Sequence, residues 1–198
     1  EPTVEYGPFE ESPPTTRDHL RHVATVRFES PASADEEAEP ELFEAIGARQ
    51  TNHRPFDDRS VPESLLERFE EYAAASGLGL ELVTVTARRD EIAALQTRAD
   101  ERQFDDPAYR TELGHWIGTG ALGANWLAAR IGQLAVSRLD IGEREGRKNS
   151  KLVTSAPVVA ALTTATDDEP ALLEAGRVFE RIALAATDEG LAVHPMSQ

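Results

Sequence analysis

The chain has 198 residues, enough for one medium domain whose core needs no disulfide staples. Its 40% hydrophobic and 28% charged residues are a globular composition. A net charge of -16, from 36 Asp and Glu against 20 Lys and Arg, argues against nucleic acid and anionic membrane surfaces as partners, since both are gripped by basic patches. Cysteine is absent, which removes disulfides, thiolate zinc sites, thiol redox chemistry and iron–sulfur clusters together.

Residues 1–20, rich in Pro, Glu and Thr, read as an extended tail. Val23 to Phe28 predicts a short strand. The acidic, proline-bounded run over residues 30–40 reads as a linker. A compact domain is expected over 41–198, opening with a short helix that has Leu42, Phe43, Ala45 and Ile46 on one face and ends near Arg49. A polar loop follows over 50–59. Ser60 and Glu63 have capping-box spacing before a helix that carries Leu65, Leu66, Phe69, Tyr72 and Ala73 to about Ser76.

Gly77 and Gly79 break that helix, and Leu80 to Val85 predicts a strand. Asp90 is the expected cap of a helix with Ile92, Leu95 and Ala99 on its packed face. Asp106-Pro107 starts another, pairing an acceptor at the cap with a ring that needs no N–H. Gly118, Gly120 and Gly123 mark a bend, residues 126–135 look helical, and residues 140–150 read as a charged surface loop. Val158 to Leu162 predicts a buried strand. Asp168 and Pro170 open the clearest helix, with Leu172, Leu173, Gly176, Phe179, Ile182, Ala183 and Ala186 on its packed side. Gly190 stands where a left-handed cap belongs, ahead of a last strand at Leu191 to Val193. Strands and helices do not alternate regularly, so the expected class is α+β, a small mixed sheet flanked by helices.

No run approaches the roughly 18 apolar residues of a membrane span. With no signal-peptide pattern, a cytoplasmic location is expected. The chain, which starts at Glu1, reads as trimmed at both ends. Its few lysines, Lys148 and Lys151, fit either a salt-rich habitat, where screening relieves self-repulsion, or an arginine-rich codon usage.

Residues 49–59 gather Arg49, Thr51, His53, Arg54 and Arg59 in this otherwise acidic chain. Guanidinium forks with a hydroxyl suit a phosphate monoester. The same arginines could equally pair with carboxylates such as Asp57 and Asp58. His19 and His22 have the only paired metal spacing, in the expected tail, and no metal site is expected. No Gly-x-Ser-x-Gly elbow or Walker A loop appears.

The segment Arg49-x-Thr51-x-His53-Arg54-Pro55-Phe56-Asp57-Asp58-x-x-Val61-Pro62 resembles the opening motif of the FMN-dependent nitroreductase family. That motif follows the first helix of the domain, and its side chains hold the phosphate and ribityl chain of FMN. With one extra residue before Phe56, either His53 or Arg54 fills the second basic position. Ala175-Gly176, Leu184 to Thr187, Gly190-Leu191 and Pro195 resemble the family's late helix and Gly-Leu turn, which implies that Met196, Ser197 and Gln198 lie near the flavin ring. Tyr109-x-x-Glu112-Leu113-x-x-Trp116 and Ala156-Pro157 also match, and together these resemble a subfamily with two nitroreductase-like halves fused in one chain. Residues 1–40 would then hold the end of a preceding half.

The resemblance implies a nitroreductase-like fold and an FMN-dependent oxidoreductase. NAD(P)H would be its co-substrate, an electron-poor small molecule its acceptor, and a homodimer or fused second half its partner. The implied cofactor residues are Arg49, Thr51, His53, Arg54, Met196, Ser197 and Gln198, with no side-chain catalyst, because the flavin carries the chemistry. Two features depart from the family: Ala73 to Gly79 lacks the usual Asn-rich loop, and the C-terminal arm with its late basic ligand is missing. They point to the alternative, a protein that binds and sequesters flavin without turnover.

Overall fold

The computed structural model describes residues 3–7, 22–27, 39–119 and 142–196. Their elements in chain order are β1 (Thr3–Tyr6), β2 (Ala24–Arg27), α1 (Pro40–Ala45), α2 (Glu63–Ala75), β3 (Gly79–Val83), α3 (Thr86–Asp105), α4 (Pro107–Gly118), α5 (Gly142–Ser155), β4 (Val159–Thr163) and α6 (Glu169–Asp188). The class is α+β. In place of one mixed sheet, the described strands form two separate pairs, β1 with β2 and β3 with β4. A single parallel bridge joins Thr51 to Val193, where a last strand was expected. Of the expected glycine bend over 118–124, Gly118 is the last residue of α4, while Gly120, Gly123 and the helix expected over 126–135 lie outside the described residues, as does most of the linker.

The described residues fall into two compact units interleaved along the chain. One draws on residues 1–51, 62–81 and 161–193, the other on 52–61, 82–160 and 194–198.

In the first unit, β1 and β2 run antiparallel, with Thr3 opposite Arg27 and Tyr6 opposite Ala24. The strand at 24–27 was expected. β1 was not, because an extended tail becomes a strand only when a partner takes up its backbone groups. Helices α1 and α2 both pack on α6. Leu42 and Ala45 of α1, Leu65, Phe69, Tyr72 and Ala73 of α2, and Val178, Ile182, Ala183, Ala185 and Ala186 of α6 are buried. Leu172, expected on the packed side, is 56% exposed, since the packed stripe of α6 lies along its second half.

The predicted capping box does not form. Pro62 holds the cap position without a side-chain hydrogen bond, so Ser60 lies too far upstream to reach the first free N–H groups. Both α2 and α6 end in the same motif. Gly77 and Gly190 take φ of 69° and 68°, and the next residue reaches back, Leu78 N–H to the Ala73 carbonyl and Leu191 N–H to the Ala186 carbonyl. A residue with Cβ would be strained at either glycine.

One ion cluster ties this unit together. Glu39, just before α1, receives Arg68 at 2.9 Å, the Tyr72 hydroxyl, and Arg181 through Nε at 2.9 Å. The Tyr72 ring also lies against both guanidinium groups, 5.5 Å from Arg68 and 4.5 Å from Arg181. Burial alone would raise the Glu39 carboxyl, but the hydrogen bonds from Tyr72, Arg68 and Arg181 overcome it and hold the group at about 2. A smaller cluster anchors β1, whose Tyr6 hydroxyl donates to Glu174 of α6, itself paired with Arg177 at 2.9 Å.

In the second unit, α3 packs along α5 and meets α4. Ala93, Phe104, Leu152, Val153 and Ala156 are buried here. Three expectations are corrected. Helix α3 starts at Thr86, a turn before Asp90, because Arg, Ala, Leu, Glu and Gln favour helix without needing a cap. Its buried side carries Ala93, Asp100 and Phe104, while Leu95 is 56% exposed. Residues 142–155 are helix rather than loop, because packing of one face, at Leu152 and Val153, supports a helix that its charged, glycine-containing sequence does not advertise.

The cap at Asp106 forms as predicted, with Oδ1 accepting from Ala108 N–H at 2.8 Å. Gly79 at the start of β3 meets Thr163 at the end of β4, so the two strands run antiparallel. β4 was expected to be buried, yet Ala160 and Ala161 are exposed, since a short apolar run does not by itself reveal what covers it. Among the described residues no helix is long and apolar enough to cross a membrane.

Candidate functional site

Helix α1 ends at Ala45, whose carbonyl accepts from Ala48 and Arg49 N–H at 3.0 and 2.9 Å. The turn sets Arg49 just past the helix with its side chain half-buried. Its Nε pairs with Glu180 of α6 at 3.0 Å, so the carboxylate it finds is neither Asp57 nor Asp58. That pairing engages one edge of the guanidinium and leaves the Nη edge for a second acceptor. Two residues on, half-buried Thr51 makes the bridge to Val193.

Asn52 shapes the next turn. Its Oδ1 accepts from Arg54 N–H at 3.1 Å, and its Nδ2 donates to the Arg54 carbonyl at 2.6 Å, the local bonding for which Asn is favoured in turns. Its backbone carbonyl accepts from His194 Nδ1 at 2.5 Å. His53 and His194 stand edge to face, ring centroids 5.5 Å apart. Phe56 N–H donates to Ser155 Oγ of α5 at 2.9 Å, anchoring the far end of this segment. Arg54 is exposed and has no ion-pair partner among the described residues. Met196 is 37% exposed. Ser197 and Gln198 lie outside the described residues.

The two stretches singled out in the sequence, 49–56 and 190–196, are thus neighbours, joined at Thr51–Val193 and again at Asn52–His194. Glu180, Asn52 and His194 escaped sequence reasoning. Asn52 carried a turn signal, but nothing local marks a carboxylate on another helix or a histidine far along the chain as a neighbour. Arg49 and Thr51 bring a guanidinium edge and a hydroxyl to the first unit, and Arg54 brings an exposed guanidinium to the second.

Elsewhere, α4 carries an open recess lined by Pro107, Ala108, Thr111, Glu112, His115 and Trp116. Asp100 is buried and accepts from Gln96 at 3.2 Å and Asn149 at 3.0 Å. Arg89 donates to the Ala156 carbonyl and, at 3.0 Å, to Thr86 Oγ1, while its buried Nε has no partner among the described residues. No cluster of three or more His, Cys, Asp or Glu side chains suited to a metal occurs among the described residues. No family model, curated protein or solved structure matches the chain.

Proposed function

We propose that the protein is an FMN-dependent NAD(P)H oxidoreductase of nitroreductase type that passes a hydride to an electron-poor small molecule. The observation that supports this reading is the parallel bridge between Thr51 and Val193. It makes neighbours of the two stretches that resemble the family's phosphate motif and its late Gly-Leu turn. In this reading Arg49 and Arg54 would hold the FMN phosphate, Thr51 would add a neutral donor, and His53 is the other basic residue of the motif. Met196, Ser197 and Gln198, which follow the Gly-Leu turn in sequence, are the residues that would meet the ring. When bound, FMN supplies hydride acceptance and donation, so the chain's task is anchoring and exclusion of competing reactions. The working assembly is a homodimer, or this half joined to a second one, in the cytoplasm.

A second reading, flavin sequestration without turnover, draws on the passage from α2 to β3. There the chain runs through Ser76, Gly77 and Leu78 directly into the strand, with no Asn-rich loop. The absorption spectrum of purified protein reconstituted with FMN separates the two. Bleaching by NADPH supports the enzyme, bound flavin that does not bleach supports sequestration, and failure to bind FMN overturns both.

Anchoring has its own test. Arg49→Ala should weaken FMN binding about ten- to a hundredfold, the worth of a charge-assisted hydrogen bond of roughly 1.5–3 kcal/mol. Arg98→Ala, which removes an exposed charge from α3, should change it little. Riboflavin, which lacks the phosphate, should bind both variants alike. An equal loss for riboflavin would mean that Arg49 serves only its pairing with Glu180.

A further inference from the structure

His53 and His194 lie far apart in the chain yet meet in the second unit, with ring planes at 78°. Because the Asn52 carbonyl can only accept, Nδ1 of His194 is the donor, and in the neutral ring Nε2 is then the lone pair open to a ligand. A backbone carbonyl on the far nitrogen is the usual support of a metal-binding imidazole, since it fixes both tautomer and ring orientation. That carbonyl is itself held in place by the Asn52 side chain, which brackets Arg54 at its N–H and its C=O. With a metal–nitrogen distance of about 2.1 Å and a ring nitrogen about 1.2 Å from its own centroid, two imidazoles at a tetrahedral angle hold their centroids about 5.4 Å apart. The observed separation is 5.5 Å. His53 is exposed, so an ion has access.

We propose that His53 and His194 form a two-imidazole site for a divalent transition metal ion of the Zn2+, Ni2+ or Cu2+ class. Two neutral nitrogens select such borderline ions over Mg2+ and Ca2+, which want oxygen ligands. No third His, Cys, Asp or Glu joins them among the described residues, so water completes the coordination. The site shares His53 with the flavin reading but does not rest on it, because Zn2+ binding is read in the absence of FMN.

The test is calorimetric titration of Zn2+ into untagged full-length protein carrying His19→Ala and His22→Ala, which removes the other histidine pair. One equivalent should bind. Adding His53→Ala should weaken binding about tenfold or more, since loss of a ligand costs at least as much as loss of its support. His194→Ala should do the same, and the two changes together should abolish the weak single-imidazole binding that either one leaves. Cu2+ bound to the parent should show two nitrogen couplings in its electron paramagnetic resonance spectrum. Zn2+ affinity unchanged by His53→Ala, an exposed site where the fold is not at stake, overturns the proposal. So does loss of all binding in the His19→Ala/His22→Ala protein.

Discussion

Helices α3 and α6 are both 20 residues long, one in each unit, and they hold their shape by different means. α6 is specified at both ends. Asp168 accepts from Ala171 N–H at 2.9 Å, Pro170 stands in the first turn, and Gly190 closes the last one. Between these ends it buries five apolar residues. α3 has no side-chain cap, and the buried part of its surface includes a carboxylate, Asp100. Its partner α5 is itself weakly marked in sequence. Terminal signals plus an apolar stripe make a helix legible alone, whereas a polar pair of helices is legible only as a pair.

Core truncation probes this contrast most strongly. Ile182→Ala in α6 should cost about 2–5 kcal/mol, while Leu95→Ala on the exposed side of α3 should fall within about 0.5 kcal/mol. Urea unfolding followed by circular dichroism would read both, and equal losses would place Leu95 in a core.

The surface of α6 is also tied down, by Arg181 on Glu39. Glu39→Gln should cost about 3 kcal/mol at neutral pH, the value of lowering a carboxyl from 4.5 to about 2. Because the folded-state value is depressed, this stabilisation is complete above the unfolded value of 4.5 and disappears as pH falls through about 2. The gap between parent and variant in thermal unfolding should therefore close on acidification over that window. A gap independent of pH would assign the effect to packing rather than charge.

In α3 the matching test is Asp100→Ala. It strands the Gln96 and Asn149 amides and should cost about 1–3 kcal/mol. A neutral result would mean that α3 and α5 are held by apolar contact alone.

The smallest effects concern the helix ends. Asp168→Ala should cost about 1 kcal/mol, whereas Val85→Ser, at a cap position that is 60% exposed and lacks a side-chain bond, should gain roughly 0.5–1 kcal/mol. If the serine brings no gain in melting temperature, α3 does not lack a cap, and the contrast between the helices narrows.

What was legible in the sequence follows the same division. The caps at Asp106 and Asp168, the glycine ends at 77 and 190, and the strands near 24–27 and 79–83 were readable because each rests on bonds within a few residues. α5, β1, the start of α3 and the exposure of β4 were not, because each depends on a partner remote in sequence.

The candidate site divides likewise. The sequence by itself determined that Arg49, Thr51, His53 and Arg54 gather donors in an acidic chain, since residue chemistry is local. Only the tertiary structure decided that Arg49 pairs with Glu180, that Thr51 meets Val193 and that His194 stands against His53. Bringing together segments so far apart costs chain entropy that only a packed fold repays, and no local pattern records which segments those are.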